Sequence, residues 1–393
     1  MTSITHPALR GHDNHRTLGR TRRQLLPGVA TPASWAVIAI VTVLSMIGLV
    51  MVMSASSVVS VRASGEPWSY FQRQIIWTLV GLVGLVVAMS VSLQFWRRMA
   101  PVMLFTTIGM LSLVLVPGVG QFHNGATRWL AIGPLQLQPS EFAKFALLLF
   151  AADLLDRRAA RIRDVRYAVV PVLCWLAVIS VLIMKQPNLG TTIIIATTTL
   201  AVLWAAGSPL RFLGVIAGGF AAVATAFVAF TPFRRARYLV FLDPMSDPYE
   251  RGLQNVQSMV ALANGGLFGR GLGRSTAKWG YLPYSWTDFI FAVIGEEFGL
   301  VGAMIVVLLF LAFGVVGAYV ASQAQDRFSM LVAVGITTWI ALQAFMNIAA
   351  VVRLMPITGI PLPFISFGGS AMIVNLTAVG LLMNIARHPA TRH

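Results

Sequence analysis

The sequence is poor in charged residues and has a single cysteine. Only 11% of its 393 residues are Asp, Glu, Lys or Arg, whereas 57% are hydrophobic. A chain with so few charges and such long apolar runs is not a soluble globular protein, and the composition predicts a polytopic membrane protein. The lone Cys174 excludes an internal disulfide and a thiolate metal cluster.

The motifs of common cofactor sites are also missing. There is no Walker A loop, no HExxH sequence and no paired Cys or His spacing for a metal. The glycine-rich stretch GLFGRGLG, residues 266–273, neither follows a strand nor opens a phosphate-binding helix, so we interpret it as a turn. The side chains therefore indicate no ATP, redox or metal cofactor, and a reaction here would need an activated substrate.

Apolar runs long enough to cross a bilayer recur along the chain. They cover residues 33–55, 72–92, 99–118, 139–155, 167–185, 189–207, 211–231, 288–320, 328–350 and 361–386. The predicted fold is all-α, with ten transmembrane helices and a long extracytoplasmic loop, residues 232–287, between helices 7 and 8. This gives one membrane domain over residues 33–387, a disordered tail over residues 1–32 and a short tail over residues 388–393.

The basic residues are distributed unevenly between the loops. Arginines are concentrated in the N-terminal tail and at residues 97–98 and 157–166, whereas the short loops on the other side carry few. By the positive-inside rule, this predicts that both termini are cytoplasmic. The net charge of +16 is then explained by membrane orientation and anionic lipid rather than by nucleic acid.

One acidic residue, Asp288, lies where a polar loop becomes the eighth apolar run. An ionisable group at such a place is costly and usually functional, although an acid in the first turn of a helix is the simpler explanation. On a regular helix Ala292, Gly295, Gly299 and Gly302 would share its face. That strip of small residues would let a neighbouring helix approach closely.

Two charged residues in the fourth run, Glu141 and Lys144, lie three positions apart on one helical face. They could simply pair with each other. Alternatively, Lys144 could reach Asp288 across the bundle, because a buried ammonium and a buried carboxylate each lower the cost of the other. The sequence leaves both pairings open.

Several basic residues outside the apolar runs could bind phosphate. Arg128 can offer its planar fork to a phosphate or carboxylate, or anchor its loop to lipid headgroups. The same two alternatives apply to a cluster in the long loop, which consists of Arg234, Arg235 and Arg237.

The last apolar run contains the stretch TGIPLPFISFGGSA, in which prolines and glycines are closely spaced. This spacing predicts an unwound segment that lines a cavity. Ser366, Ser370 and Asn375 could contact a ligand there, or only satisfy the backbone groups that the unwinding frees.

Seven segments together resemble the SEDS family, the proteins of shape, elongation, division and sporulation that polymerise bacterial cell-wall glycan. They are GATRW at 125–129, QPSEFAK at 138–144, QPNLGT at 186–191, FLDPMSDP at 241–248, QSMVALANGGLFGRGLG at 257–273, LPYSWTDFIFAVIGEE at 282–297 and GIPLPFISFGG at 359–369. The stretch GRGLGRSTAKWGYLP before TDF is more similar to the division type than to the elongation type. The resemblance implies ten transmembrane helices in the bacterial cytoplasmic membrane and an extracytoplasmic site.

The resemblance implies a peptidoglycan glycosyltransferase that polymerises lipid II in septal wall synthesis. Asp288 matches the family's essential aspartate and would be the general base, with undecaprenyl pyrophosphate as the leaving group and a β-1,4 link as the product. Lys144 and Glu141 match the polar pair of the fourth helix. The candidate substrate-binding residues are Arg128, Trp129, Gln138, Ser140, Arg234, Arg235, Arg237, Gln257, Thr287 and Ser366.

The resemblance also suggests partners and leaves alternatives. A divalent cation, Mg²⁺ or Mn²⁺, could assist at the pyrophosphate, and a class B penicillin-binding protein and other division proteins would be the partners. The chain departs from the family at Tyr284, Trp286 and Asn188, where acidic or imidazole groups are common. A lipid II transporter without chemistry, an elongation-type polymerase and a structural scaffold remain alternative functions.

Overall fold

The computed structural model describes residues 28–390 apart from 124–125, 133–134 and 251, and this part of the chain is mainly helical. Its helices are α1 (Pro32–Ser64), α2 (Ser69–Ser90), α3 (Leu93–Val114), α4 (Pro139–Arg157), α5 (Val165–Lys185), α6 (Leu189–Ala205), α7 (Leu210–Ala229), α8 (Pro232–Leu242), α9 (Leu253–Gly265), α10 (Ile290–Ser322), α11 (Arg327–Val351) and α12 (Gly369–Ala386). Three short strands lie between α3 and α4.

Each of the ten predicted apolar runs coincides with a helix, namely α1 to α7 and α10 to α12. Seven of these helices are long and apolar enough to cross a membrane: α1, α2, α5, α7, α10, α11 and α12. The chain is therefore a polytopic, mainly helical membrane protein. Helices α3 and α4 carry charged residues and α6 has only 17 residues, so the crossing by all ten helices stays a prediction.

Several predicted boundaries were wrong. Helix α1 continues to Ser64 rather than ending at residue 55, and α3 begins at Leu93, so that Arg97 and Arg98 lie within a helix. The tenth run was predicted to be helical from residue 361, but α12 begins at Gly369. Prolines in the preceding segment cannot donate backbone hydrogen bonds, which favours the unwound conformation observed there.

The segments outside the predicted spans are more structured than the sequence indicated. The long loop over residues 232–287 contains two helices, α8 and α9. The segment before α4 forms a three-stranded antiparallel sheet in the order β1 (Gly120–His123), β2 (Ala126–Ile132) and β3 (Leu135–Leu137). The all-α prediction therefore holds for the bundle but missed this sheet.

Helices α2 and α12 pack closely through glycines. A Cβ on Gly380 would lie 2.2 Å from the carbonyl oxygen of Leu85, and one on Gly81 would lie 2.6 Å from Leu376 Cδ1. Small residues at such positions let helix backbones approach in a membrane. At the far end of α12, Asn384 Nδ2 donates to the carbonyls of Ala88 and Val91 at 3.0 and 2.7 Å, which fastens α12 to the end of α2.

Helix α10 is interrupted at Gly299, whose φ and ψ are 69° and −166°. Only glycine adopts this backbone region readily. The predicted strip of small residues therefore does not continue as a regular helical face through Gly299. It does allow a close approach, because a Cβ on Gly295 would lie 2.4 Å from Leu262 Cδ2 of α9.

The glycine-rich loop after α9 pairs with the interruption in α10. The amides of Arg270 and Gly271 donate to the carbonyls of Glu296 and Glu297, both at 3.0 Å. In return, the amides of Leu300 and Val301 donate to two carbonyls of the loop at 2.9 and 3.2 Å. A helix break is tolerated at membrane depth when neighbouring groups satisfy the freed backbone. The stretch predicted to be a turn is therefore a turn that also completes α10.

Because the backbone of α10 is interrupted at Gly299, adding a single methyl group at this residue should lower the stability of the protein. Replacing Gly299 with Ala should lower stability by at least about 1–3 kcal/mol from backbone strain, since its Cβ would also lie 2.4 Å from Gly269 N and Leu267 O. Gly314 of the same helix has open space around its Cβ position, so Gly314→Ala is the matched control. Thermal unfolding in detergent should show a lower midpoint for Gly299→Ala alone. Equal midpoints would contradict the account of the break.

Candidate functional site

Asp288 lies in the loop just before α10, which begins at Ile290, and not in the first turn of the helix as the sequence suggested. The backbone of this loop is held at successive residues. Trp286 O accepts from Phe367 N at 3.1 Å, and Thr287 O accepts from Ser366 Oγ at 2.6 Å. Asp288 O accepts from the Asn347 side-chain amide of α11 at 2.8 Å.

The unwound segment before α12 forms a wall of the same site. A small pocket is lined by Asp288, Phe289, Asn347, Ala350, Val351, Ile357, Thr358, Gly359 and Ile360. Asp288 is half-buried at this pocket, and a Cβ on Gly359 would lie 3.6 Å from its Oδ2 atom. The prediction of an unwound segment lining a cavity is confirmed, and this segment lies next to the aspartate.

Lys144 pairs with Glu141 in this structure and not with Asp288. Its Nζ lies 2.8 Å from Glu141 Oε2, and both side chains are buried. Lys144 also donates to Gln343 Oε1 at 2.7 Å and lies 4.8 Å from the centre of the Trp339 ring. Of the two pairings that the sequence left open, the local one is present.

Two amide side chains on α11 connect Lys144 with the Asp288 loop. Gln343 accepts from Lys144 and donates through Nε2 to the carbonyl of Pro361 at 2.9 Å. Asn347, one turn further, donates to the carbonyls of both Asp288 and Ile360 at 2.8 Å. The sequence analysis missed both residues. Their spacing of four positions in an apolar run was the available signal, because amides at this spacing share one helical face.

The other serine and threonine candidates are engaged with backbone groups. Ser366 Oγ accepts from Leu362 N at 2.8 Å and donates to Thr287 O, so it satisfies freed backbone groups, which was one of the two alternatives. Thr287 Oγ1 donates to Tyr284 O at 3.3 Å. Ser370 accepts from Gln138 N at 2.9 Å and thereby ties the start of α4 to α12.

Arg128 and the start of α4 form a second group of candidates. The Arg128 guanidinium donates from Nε to Gln186 O at 2.9 Å and from Nη2 to Pro187 O at 2.6 Å. The guanidinium thus binds the backbone of the segment that links α5 to α6. Any role in ligand binding would come in addition to this structural one. Nearby, Gln138 Nε2 donates to Ser140 Oγ at 3.2 Å, and Ser140 is fully buried. Trp129 is half-buried in β2, where it pairs with a residue of β1.

The remaining candidates lie on α8 and α9. Arg235 is exposed on α8, whereas the side chains of Arg234 and Arg237 lie outside the described part of the structure. Gln257 is half-buried on α9. Asn375 of α12 is fully buried, and neither of its side-chain polar atoms has a partner among the described residues.

Aromatic residues pack together next to the loop that contains Asp288. Trp286 packs against Tyr70 of α2 with ring centres 5.9 Å apart, and Tyr70 contacts Phe367 edge-on at 5.1 Å. Tyr284, with a positive φ of 61°, lies 6.3 Å from Trp286. The residues that depart from the family pattern here form an aromatic cluster over the loop, whereas Trp279 and Tyr281 remain exposed, as expected of an interfacial anchor.

A buried acidic pair, Glu296 and Glu297, lies at the break in α10. Glu296 accepts hydrogen bonds from both the side chain and the backbone of Thr276, at 2.6 and 3.1 Å. Glu297 accepts from Ser54 Oγ of α1 at 2.7 Å, and Lys278 Nζ lies 3.8 Å away. These contacts join α10 to α1 and to the loop after α9, so the pair contributes to packing in this region.

The residues at the site do not form a closed cation site. No group of three or more His, Cys, Asp and Glu that could hold a metal is present within the described ranges. A magnesium ion is often held by one or two carboxylates together with substrate phosphates. Asp288 would be one such carboxylate.

Comparisons with known proteins identify the family of this chain. The family described as "Cell cycle protein" (FtsW/RodA/SpoVE) matches residues 34–391. A probable peptidoglycan glycosyltransferase FtsW of Mycobacterium tuberculosis is 42% identical over 354 residues, which cover 90% of this chain and 67% of that protein. The FtsW of Trichlorobacter lovleyi is 39% identical over 88% of this chain and 91% of its own length. Stage V sporulation protein E of Bacillus subtilis is 38% identical over 87% of this chain and 93% of its own length.

Solved structures share the same fold. A chain of a peptidoglycan synthase complex described as coordinating polymerization and crosslinking superposes with a TM-score of 0.73, with 28% identity over 90% of this chain and 97% of that one. The rod shape determining protein RodA of Thermus thermophilus superposes with a TM-score of 0.65, with 27% identity over 90% of this chain and 96% of that one. The resemblance found in the sequence motifs is thereby confirmed, and the chain belongs to the FtsW/RodA/SpoVE family, with relatives of the division type among its matches.

Proposed function

We propose that this protein is a peptidoglycan glycosyltransferase that polymerises lipid II into β-1,4 glycan strands during septal wall synthesis. The observation that carries the proposal is the position of Asp288. Asp288 lines a pocket between the start of α10 and an unwound segment, in a chain whose relatives are named probable peptidoglycan glycosyltransferases. An ionisable group placed in this way in a membrane protein is a functional candidate.

In the proposed reaction Asp288 is the general base. Its carboxylate takes the proton from the 4-hydroxyl of the acceptor sugar as that oxygen attacks the anomeric carbon of the donor. The bond from this carbon to the pyrophosphate breaks, and undecaprenyl pyrophosphate leaves with the bonding electrons. A single displacement of this kind inverts the anomeric centre, which gives the β-1,4 link.

Basic residues would stabilise the leaving group. Pyrophosphate develops negative charge as the bond breaks, and guanidinium groups bind such charge through paired hydrogen bonds. Arg128 and the cluster of Arg234, Arg235 and Arg237 are the candidates. The exposure of Arg235 on α8 supports its access to a substrate or to anionic lipid.

Lys144 would support Asp288 indirectly. The structure pairs Lys144 with Glu141, so a direct ion pair between Lys144 and Asp288 is not part of the proposal. Its contact with Gln343 places it two hydrogen bonds from the unwound segment that faces the aspartate. Gln138, Ser140, Trp129, Gln257, Thr287 and Ser366 would shape the surroundings of the substrate.

The membrane setting and partners form part of the same proposal. The protein would lie in the bacterial cytoplasmic membrane with both termini inside and Asp288 at the outer face. A class B penicillin-binding protein would crosslink its strands alongside other division proteins. The similarity to a chain from a complex that coordinates polymerization and crosslinking supports this partner.

A lipid II carrier without chemistry is the second candidate, because the buried charges near the break in α10 are typical of transporters. The test is to incubate purified protein in detergent with lipid II, without a membrane potential, and to separate the products by size. The glycosyltransferase should yield glycan strands. No strands, together with lipid II exchange between the leaflets of reconstituted vesicles, would favour the carrier. The carboxylates of Glu296 and Glu297 already have structural partners, which argues against that outcome.

A further inference from the structure

We propose that Asn347 and Gln343 of α11 are positioning residues for Asp288, and that they connect the Lys144–Glu141 pair of α4 to the Asp288 loop. This inference rests on the proposed function, because it assigns a task to the surroundings of the general base. Its basis is a series of hydrogen bonds that runs from Lys144 through Gln343 to the unwound segment, and from that segment through Asn347 to Asp288 O.

Asn347 fixes two segments of chain with one amide group. Its Nδ2 donates to Asp288 O and to Ile360 O, both at 2.8 Å, and the residue is 2% exposed. The two carbonyls belong to Asp288 and Ile360, which both line the small pocket. This amide therefore contributes to the distance between these two walls of the pocket, together with the bonds from Ser366 and Phe367, and with it to the position of the Asp288 carboxylate.

The orientation of the Asn347 amide is determined by its neighbours. Turning it over would bring Oδ1 against two carbonyl oxygens, which cannot donate a hydrogen bond. In the observed orientation Oδ1 is buried and has no partner among the described residues. Leaving a buried acceptor unpaired is costly. The two donated hydrogen bonds must offset this cost, which an apolar side chain that only filled the space would not incur.

Gln343 extends the connection to α4. Its Oε1 accepts from Lys144 Nζ at 2.7 Å and from Trp339 Nε1 at 3.0 Å, while its Nε2 donates to Pro361 O. Pro361 is adjacent to Ile360, which Asn347 holds. Lys144 and Trp339 together fix the rotation of the Gln343 amide, and the amide holds the segment that lies next to Asp288.

This arrangement explains how Lys144 can matter without touching the aspartate. A base must lie within hydrogen-bond reach of the proton that it removes, and displacement by about 1 Å can lower a rate by roughly 100-fold. The contacts from Lys144 to Asp288 O run through buried side chains of α11 and half-buried backbone carbonyls. The loss of one donor should therefore change the position of the carboxylate more than it changes substrate binding.

The test compares Asn347→Leu with a matched control, Asn384→Leu. Asn384 is equally buried, and its Nδ2 also donates to two backbone carbonyls. It lies at the C-terminal end of α12, however, whereas the unwound segment next to Asp288 precedes the N-terminal end of this helix. The rate of lipid II polymerisation is measured per amount of monodisperse protein. We expect kcat to fall about 10- to 100-fold in Asn347→Leu, with KM changed less than about threefold. Asn384→Leu should retain kcat within about threefold.

Combination with Asp288→Asn separates positioning from general destabilisation. If Asn347 acts through Asp288, adding Asn347→Leu to Asp288→Asn should not lower the residual rate further. A purely structural role would lower it again by the same factor. If Asn347→Leu does not fold, Asn347→Ser, which retains one donor, should give an intermediate kcat.

The outcomes distinguish this inference from the proposed function. A normal kcat in Asn347→Leu, equal losses in both leucine variants, or a multiplied loss in the double variant would overturn the inference while Asp288→Asn still shows its strongly reduced rate. An active Asp288→Asn protein would instead overturn the role of Asp288 in the proposed function.

Discussion

Replacing Asp288 with Asn is expected to reduce lipid II polymerisation about 10²- to 10⁴-fold, which is the contribution of a positioned general base. Asparagine has nearly the same shape but cannot accept the proton. The backbone of residue 288 keeps its bond from Asn347, so the loop should stay in place. Glycan strands made by purified protein measure the rate, and a thermal unfolding midpoint close to that of the unchanged protein shows that the fold is retained.

A matched replacement on the same stretch between α7 and α10 provides the control. Asp243 is exposed and accepts a hydrogen bond from Met245 N, which an asparagine can also accept. Asp243→Asn should therefore polymerise at the normal rate. Glycan synthesis by Asp288→Asn at a rate within a few-fold of Asp243→Asn would remove Asp288 from the mechanism.

Replacing Lys144 with Met is expected to lower stability by about 3–5 kcal/mol, because it leaves Glu141 as an uncompensated buried charge. The lysine is 4% exposed and the glutamate 2% exposed, so water screens neither charge. The unfolding midpoint in detergent should fall by several degrees. Polymerisation should also fall, because the Gln343 amide loses the shorter of the two hydrogen bonds that its Oε1 accepts.

The double variant Glu141→Gln/Lys144→Met separates these two effects. Removing both charges should restore most of the midpoint, since a neutral pair carries no buried charge. The rate should stay low, because the contact with Gln343 is still absent. A midpoint in the double variant as low as in Lys144→Met would contradict the assignment of the ion pair, and full recovery of the rate would contradict the link through Gln343.

The helices of the bundle were predictable because each one is encoded by an apolar run within its own stretch of sequence. A run of about 20 apolar residues is needed to cross a bilayer, and each such run in the sequence became a helix. The boundaries were less certain. Helix α3 begins before Arg97, where the sequence suggested a loop, because Arg97 pairs with Asp153 and Asp156 of α4 at 2.6 and 2.8 Å. Such ion pairs between helices are invisible in a single run.

The break in α10 and the small sheet were not predictable in the same way. Gly299 fits a strip of small residues on a regular helix, and only the hydrogen bonds to the glycine-rich loop reveal a different conformation. The strands β1 to β3 are three to seven residues long, too short for an alternating pattern to stand out. Helix α9 did carry a helical pattern, but its place within a long loop hid it.

The candidate site was predictable in its main residue but not in its connections. Asp288 stood out because its charge borders an apolar run, and the unwound segment stood out because of its prolines and glycines. The partner of Lys144 depends on distances between helices, which residue types do not determine. Gln343 and Asn347 are uncharged, so they were missed in a search for ionisable groups, although they make the contacts between α4, α11 and the Asp288 loop.

The anomeric configuration of the newly formed glycosidic bond tests the account most directly, because a single base and a direct displacement permit only one outcome. Proton NMR of glycan made by the purified protein from lipid II would give this configuration relative to that of the donor sugar phosphate. The account predicts inversion, with a β-1,4 link. Retention of the donor configuration would require a covalent intermediate on a nucleophile and would contradict Asp288 as the general base.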